Sequence, residues 1–181
     1  WASQESSFDA AAYASDFWVQ KLKPAMNRAV AADSLLQKIE TQPKIAFEQY
    51  GRSLGIGNLR CFLVKGLAIV KSIEQDRVEI SLPDAPTDQK VFIETEYVYG
   101  NAVRDASGKI NINDFSNTMD LNNVSEEINK KIRAEVVKPF LSKVRKGDQL
   151  SFVGAVELNS KYPRPKEVEF IPISLALQGN N

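Results

Sequence analysis

Histidine is absent from the 181 residues, and cysteine occurs once, as Cys61. The first absence removes Ser-His-Asp and Cys-His catalysis, histidine general bases and the usual zinc ligands in one step. The second means that no disulfide forms within the chain, and a lone cysteine inside the apolar run CFLV reads as a small core hydrophobe. No run of about 18 or more apolar residues occurs, so no stretch has the length of a membrane-spanning helix. Net charge is lacking as well, since 23 Lys and Arg balance 23 Asp and Glu. A protein that lives on nucleic-acid phosphates needs a basic surface, and the balanced total argues against that class. What remains, 43% hydrophobic and 25% charged, is the composition of a globular protein with room for one well-packed domain.

Along the chain, Ser3 to Ser7 is polar and reads as frayed. Phe8 to Tyr50 carries helical signals. Asp9 is a capping residue for an alanine-rich helix in which Tyr13, Phe17, Trp18, Leu22 and Met26 recur at three- and four-residue steps, as on a packed face. Pro24 is expected to break or restart that helix. Asp33 is a candidate cap for SLLQKIE, Pro43 suits the first turn of a helix ending at Tyr50, and Gly51 suits a left-handed cap. GRSLGIGN, residues 51–58, is a linker; its G-x-G has neither a preceding strand nor a following G-K-[ST].

From Leu59 the period becomes that of strands. RCFLVKGLAIVK carries Gly66 at its centre, where a bulge or tight bend is expected. Arg77 to Leu82 alternates as a second strand, PDAPTDQ is a loop, and Lys90 to Tyr99 is a third strand. Asn123-Val-Ser-Glu126 resembles a capping box opening a helix with Ile128, Ile132 and Val136 on its buried stripe. Lys138-Pro139 should kink this helix and Gly147 end it. Gln149 to Leu158, with Gly154, and Glu167 to Leu177, with Pro172 at an edge or bulge, complete the chain. The order predicts an α+β protein: N-terminal helices packed on an OB-like antiparallel five-stranded β-barrel, with a helix between its third and fourth strands. An open antiparallel α+β sheet is the alternative. The boundaries are residues 1–55 for the helical region and 56–181 for the OB-like barrel, or one compact unit.

Functional residue types concentrate in Tyr97 to Asn117, YVYGNAVRDASGKININDFSN. Asp105, Ser107, Asn111, Asn113 and Asp114 are oxygen-rich around a glycine, but the spacing does not match a calcium loop, so no metal and no cofactor is assigned. Asp105 and Asp114 supply two carboxylates, which a glycoside hydrolase needs at a set separation with divergent pKa values; neither condition can be read from sequence, and no catalytic residue is assigned. A binding surface draws on Tyr97, Tyr99, Asn101, Arg104, Asp105, Asn113, Asp114 and Asn117, since fans of Asp, Asn and Arg with an aromatic ring hold sugars, and Arg and Tyr anchor protein partners. Against this stands a purely structural use, in which Arg104 and Asp105 pair to tie the loop down, with Gly100 and Gly108 supplying turns and Phe115 a packing residue. An OB-like barrel raises oligonucleotide binding by analogy alone, and the zero net charge counts against it.

GNAVRD at Gly100 to Asp105 and NDFSN at Asn113 to Asn117 resemble the pattern of domain-of-unknown-function family 2291, bacterial predicted periplasmic lipoproteins. FDAAAYASDFW from Phe8, Pro24 with the alanines after it, the Leu35-Leu36 pair and the glycine after Tyr50 extend the likeness over most of the chain; Thr118 departs from the glutamine the family favours. The resemblance implies a periplasmic or outer-envelope module, lipid-anchored in native form. Its lipid-bearing cysteine is expected upstream of Trp1, because Cys61 lies inside a strand. The resemblance further implies an accessory, non-enzymatic protein whose partner is a periplasmic transporter component or a small carbohydrate, with no nucleic-acid partner. An envelope enzyme acting on carbohydrate through the loop carboxylates is the alternative.

Overall fold

The computed structural model describes residues 7–178, so the reading of residues 3–6 as frayed falls outside the described part. Six strands are present: β1 (Val30–Ala31), β2 (Leu59–Ile73), β3 (Arg77–Ser81), β4 (Lys90–Glu94), β5 (Gln149–Asn159) and β6 (Glu167–Gln178). The order β2-β3-β4-β6-β5 closes on itself through a long antiparallel pairing of β5 with β2, Leu59 opposite Asn159 through Ile69 opposite Gln149. Five strands thus form a closed ring of the OB-like kind, with the helical insertion between its third and fourth strands as expected. Not every pairing is antiparallel: β4 and β6 run parallel, Lys90 beside Glu167 to Ile93 beside Phe170, and the two-residue β1 adds a parallel edge to β2.

Two glycines stand at close approaches within the ring. Gly66 faces Phe152 across the β2–β5 pair, and a Cβ there would lie 3.0 Å from the Phe152 ring. Gly66 therefore makes room for an aromatic ring, and the irregularity in β2 falls between Val70 and Ser72 instead. Gly154 meets Ile171 O so closely that a Cβ would stand 2.9 Å away, and here the β5–β6 register does slip, from Val153 opposite Ser174 to Gly154 opposite Pro172. The extra residue reverses the faces of β6. Val168 and Phe170 point into the ring before it, and Leu175 and Leu177 pack against the same core after it, as a one-residue bulge requires.

Two cores result. The first fills the ring with Phe62, Val64, Phe152 and Phe170, and receives Leu35, Leu36 and Ile39 from α3 (Ala32–Thr41) and Phe47 from α4 (Pro43–Tyr50). Phe47 meets Phe62 edge-on at 5.0 Å, an arrangement worth more than its area alone. The second lies outside the ring. Cys61, Ala155 and Ile173 face outward onto Phe17, Trp18 and Leu22 of the first helix and onto Val124, Ile128 and Ile132 of the long helix described below. Both cores draw on residues on either side of position 55.

The first helix begins as α1 (Ala10–Phe17), with the Asp9 carboxylate accepting from Ala12 N–H at 3.0 Å. Pro24 does not break it. The helix widens into a π-helical segment, Trp18–Leu22, and continues as α2 (Lys23–Met26), the Lys23 N–H reaching five residues back to Trp18 O. A short α5 (Ala102–Ala106) precedes α6 (Thr118–Lys131), which uses the same device ahead of Pro139: π-helical Ile132–Val137, Lys138 N–H to Arg133 O, then α7 (Lys138–Leu141). In both cases the wider turn carries the chain past the proline, whose ring would otherwise strike the carbonyl four residues back.

Several boundaries differ from those expected. α6 opens at Asn117, whose side chain accepts from Asp120 N–H at 2.8 Å, six residues before the capping-box-like Asn123. The last helix stops at Leu141, and Gly147, at φ +90°, instead turns the chain into β5. Asp33 lies inside the first turn of α3, after Ala31 at the cap. Gly51 is extended at φ −75°, ψ 141°, and is glycine for space: a Cβ would sit 2.6 Å from Phe47 O. β4 ends at Glu94 rather than Tyr99, because the N–H groups of Thr95 and Glu96 turn to Asp76 O.

Candidate functional site

The chain leaving β4 is fastened before it reaches the tyrosines. The Glu94 carboxylate accepts from Tyr97 N–H at 2.9 Å, and Val98 is fully buried in the outer core. Burying Val98 leaves its neighbours to project, and Tyr97 and Tyr99 are 62% and 63% exposed. Arg133 then fixes the second ring: its Nη1 donates to Val98 O at 2.7 Å and its guanidinium lies 5.1 Å over the Tyr99 ring. Gly100 takes φ +84°, where a side chain would be strained, and its carbonyl accepts from Asn129 Nδ2 at 2.8 Å.

Tyr97, Tyr99 and Asn101 line an open cleft of about 510 Å³, walled by β5 and β6. Four carboxylates not singled out in the sequence, Glu94, Glu157, Glu167 and Glu169, share it. Glu94 is buried, and its carboxyl is pushed above the usual range, first by that burial and then by the charges of Glu169 and Asp76, against the pull of the Tyr97 N–H and Arg77. Arg77 sits 3.6 Å over the Phe92 ring and donates to Glu169 at 2.7 Å and Glu167 at 2.9 Å. Its hydrogen bond holds the Glu167 carboxyl below the usual carboxylate range. The cleft therefore offers two aromatic faces, an amide and acceptor-rich carboxylates, one of them protonating more readily than an ordinary glutamate.

The other candidate residues lie elsewhere. Arg104 is 5% exposed; its Nε donates to Asp105 Oδ1 at 2.7 Å and its Nη1 to Leu121 O at 3.0 Å, binding α5 to α6. The side chain of Asp105 is 14% exposed. Asn113 is exposed in a 3-10 turn, Ile112–Asp114, where the Asn111 side chain accepts from its N–H at 3.0 Å. Asp114 accepts from Tyr13 Oη at 3.4 Å, and Phe115 packs edge-on with Phe8 and Tyr13 at 5.6 and 5.1 Å. Asn117 caps α6. The eight residues thus divide into a cleft-lining trio, a covered ion pair and a helix-cap region. Asp105 and Asp114, the two carboxylates of the hydrolase alternative, are turned to different partners.

Among the described residues, no helix is long and apolar enough to cross a membrane, and no group of three or more His, Cys, Asp or Glu is placed to hold a metal ion. The strand alternation marks Glu157, Glu167 and Glu169 as outward-facing, but only the parallel β4–β6 pairing brings them beside Glu94 and the tyrosines.

The family model described as "Predicted periplasmic lipoprotein (DUF2291)" matches residues 2–176. Among solved structures, the chain is similar to an OB-fold protein from Thermotoga maritima, at 25% identity and a TM-score of 0.84, over 95% of this chain and 99% of that one. No curated protein matches.

Proposed function

The chain belongs to domain-of-unknown-function family 2291, the predicted periplasmic lipoproteins, and we propose that it is a lipid-anchored binding module of the periplasm whose ligand is a small carbohydrate. The observation that carries the reading is the cleft itself. Tyr97 and Tyr99 are large rings held in water by a buried Val98 and an anchoring arginine, beside Asn101 and several carboxylates. Sugars present an apolar face to an aromatic ring and hydroxyls to carboxylate and amide oxygens, and this lining supplies both. A volume of about 510 Å³ accommodates a mono- or disaccharide.

Thermal denaturation against a panel of monosaccharides and short oligosaccharides tests it. A ligand at a hundred times its dissociation constant stabilises the folded state by about 2.7 kcal/mol, several degrees on a domain of this size. The expected result is a saturable shift with one sugar class, lost in Tyr99→Ala and in Glu157→Gln while the free variants still melt cooperatively. No shift from any sugar removes the carbohydrate reading. Co-purification with a periplasmic transporter component, lost on Tyr97→Ala, would then make the same surface a protein-docking site.

A further inference from the structure

A separate cavity of about 200 Å³ lies where the turn after α2, the end of α4, the turn after α5 and strands β1 and β2 meet. Arg28, Arg52 and Lys109 line it, and among the described residues no carboxylate side chain does. Each cation comes from a different segment: Arg28 from the turn after α2, Arg52 from a bridge in which its backbone exchanges hydrogen bonds with Cys61 at 2.8 and 2.9 Å, and Lys109 from the turn after α5. Gly108 belongs to the same construction. It sits at φ +65°, and a Cβ on it would lie 3.3 Å from Arg52 Nε, so the guanidinium rests against a turn that has no side chain to obstruct it. Two further lining residues are themselves held by a cation, Lys38 Nζ lying 2.7 Å from Gln49 Oε1 and 5.5 Å from the Tyr50 ring.

Charges cancel over the chain, but the lining of this concavity carries positive charge alone among the described residues. Among the described residues, Arg28, Arg52 and Lys109 are in no ion pair. Three like charges around one small concavity repel one another, and an anion placed among them relieves the repulsion while accepting their N–H donors. We infer that this cavity is an oxyanion site that takes a phosphate group, carried by a small soluble ester or by a lipid headgroup. Arginine forks and a lysine ammonium both donate well to phosphate oxygens, which accept from several directions. The site is separate from the tyrosine cleft, so it stands or falls independently of the carbohydrate reading.

Isothermal titration at low ionic strength, with inorganic phosphate and with glycerol 3-phosphate, tests the soluble form. Sedimentation with vesicles of phosphatidylglycerol, against vesicles of phosphatidylcholine, tests the headgroup form. Arg28→Gln and Lys109→Gln are the informative variants, because Arg52 also packs on Gly108 and its loss could disturb the turn. The expected result is saturable binding to one of the probes, weakened about 10-fold or more by each variant and by added salt, with melting temperatures unchanged. Binding to the soluble ester assigns a solute, and binding confined to phosphatidylglycerol vesicles assigns the headgroup. No binding to any probe, or binding that both variants retain in full, overturns the proposal.

Discussion

Replacing Arg104 with lysine keeps the charge and removes the fork, and it separates a structural ion pair from an available ligand contact. The guanidinium uses two of its nitrogens on two acceptors held in fixed directions, Asp105 Oδ1 at 2.7 Å and Leu121 O at 3.0 Å. A lysine ammonium is one point on a flexible stem and satisfies one of these at a time. The loss is then one hydrogen bond to a charged group, about 1.5–3 kcal/mol, in a site where the side chain is 5% exposed and solvent screens little. For a domain of this length that is a fall in Tm of roughly 3–12 °C. Arg104→Met goes further, leaving the Asp105 carboxylate without its countercharge in a largely covered position, at a cost of about 3–5 kcal/mol. The double variant Arg104→Met with Asp105→Leu should recover much of that, because no orphaned charge remains. Urea unfolding followed by circular dichroism, with the slope checked for constancy, measures all three. An Arg104→Lys protein within 0.5 kcal/mol of the parent, or a double variant no more stable than the single Met, would refute the reasoning.

Two further outcomes follow from the titrating groups. Glu94 has its pKa raised on folding, so the native state holds that proton more firmly than the unfolded chain; its contribution to stability is most favourable at low pH and falls as pH rises from the ordinary 4.5 through the raised value. Glu94→Gln keeps an Oε1 acceptor for the Tyr97 N–H and deletes the charge, so its stability advantage over the parent should grow across that window and then level off; a difference that is flat with pH would contradict this. Cys61 is buried against Asp105 and Glu157, and its thiol is pushed up to about 12, by burial first and then by those charges. A disulfide reagent at pH 8 should leave the folded protein unlabelled and label it fully in denaturant, the rate tracking the unfolded fraction; rapid labelling of the native protein would count against the burial of Cys61.

Local chemistry was legible where a single element decides the outcome. Asp9 caps as its position before an alanine run implies, Pro43 to Tyr50 has its expected bounds, and the succession of five strands with a helix between the third and fourth was read from period, glycines and turn residues. Two of the misreadings turn on a close approach that the hydrophobic pattern does not show. Whether Tyr97 continues a strand depends on Asp76 O receiving the Thr95 and Glu96 N–H groups, and whether Gly51 is a turn or a point of close approach depends on Phe47 and Arg60. The two prolines escaped prediction differently, since α-helical periodicity does not anticipate a π turn that accommodates them. In the candidate site, the tyrosines and Asn101 were found from residue type, while the glutamates beside them required the parallel β4–β6 register.

That register bears on how the molecule comes into being. The last strand is the piece inserted between β4 and β5, and no other pairing joins those two strands to each other. A chain emerging from a ribosome or an export channel, amino end first, presents β2, β3 and β4 and then β5 well before β6 is free. During that interval β4 and β5 each carry an unpaired edge, and the Phe62, Phe152 and Val64 faces have no Phe170 to close over them. Such edges and faces recruit other strands readily. The architecture therefore makes completion of the fold wait on the final dozen residues of the described chain, and a nascent molecule stopped short of Glu167 keeps the β4 and β5 edges open.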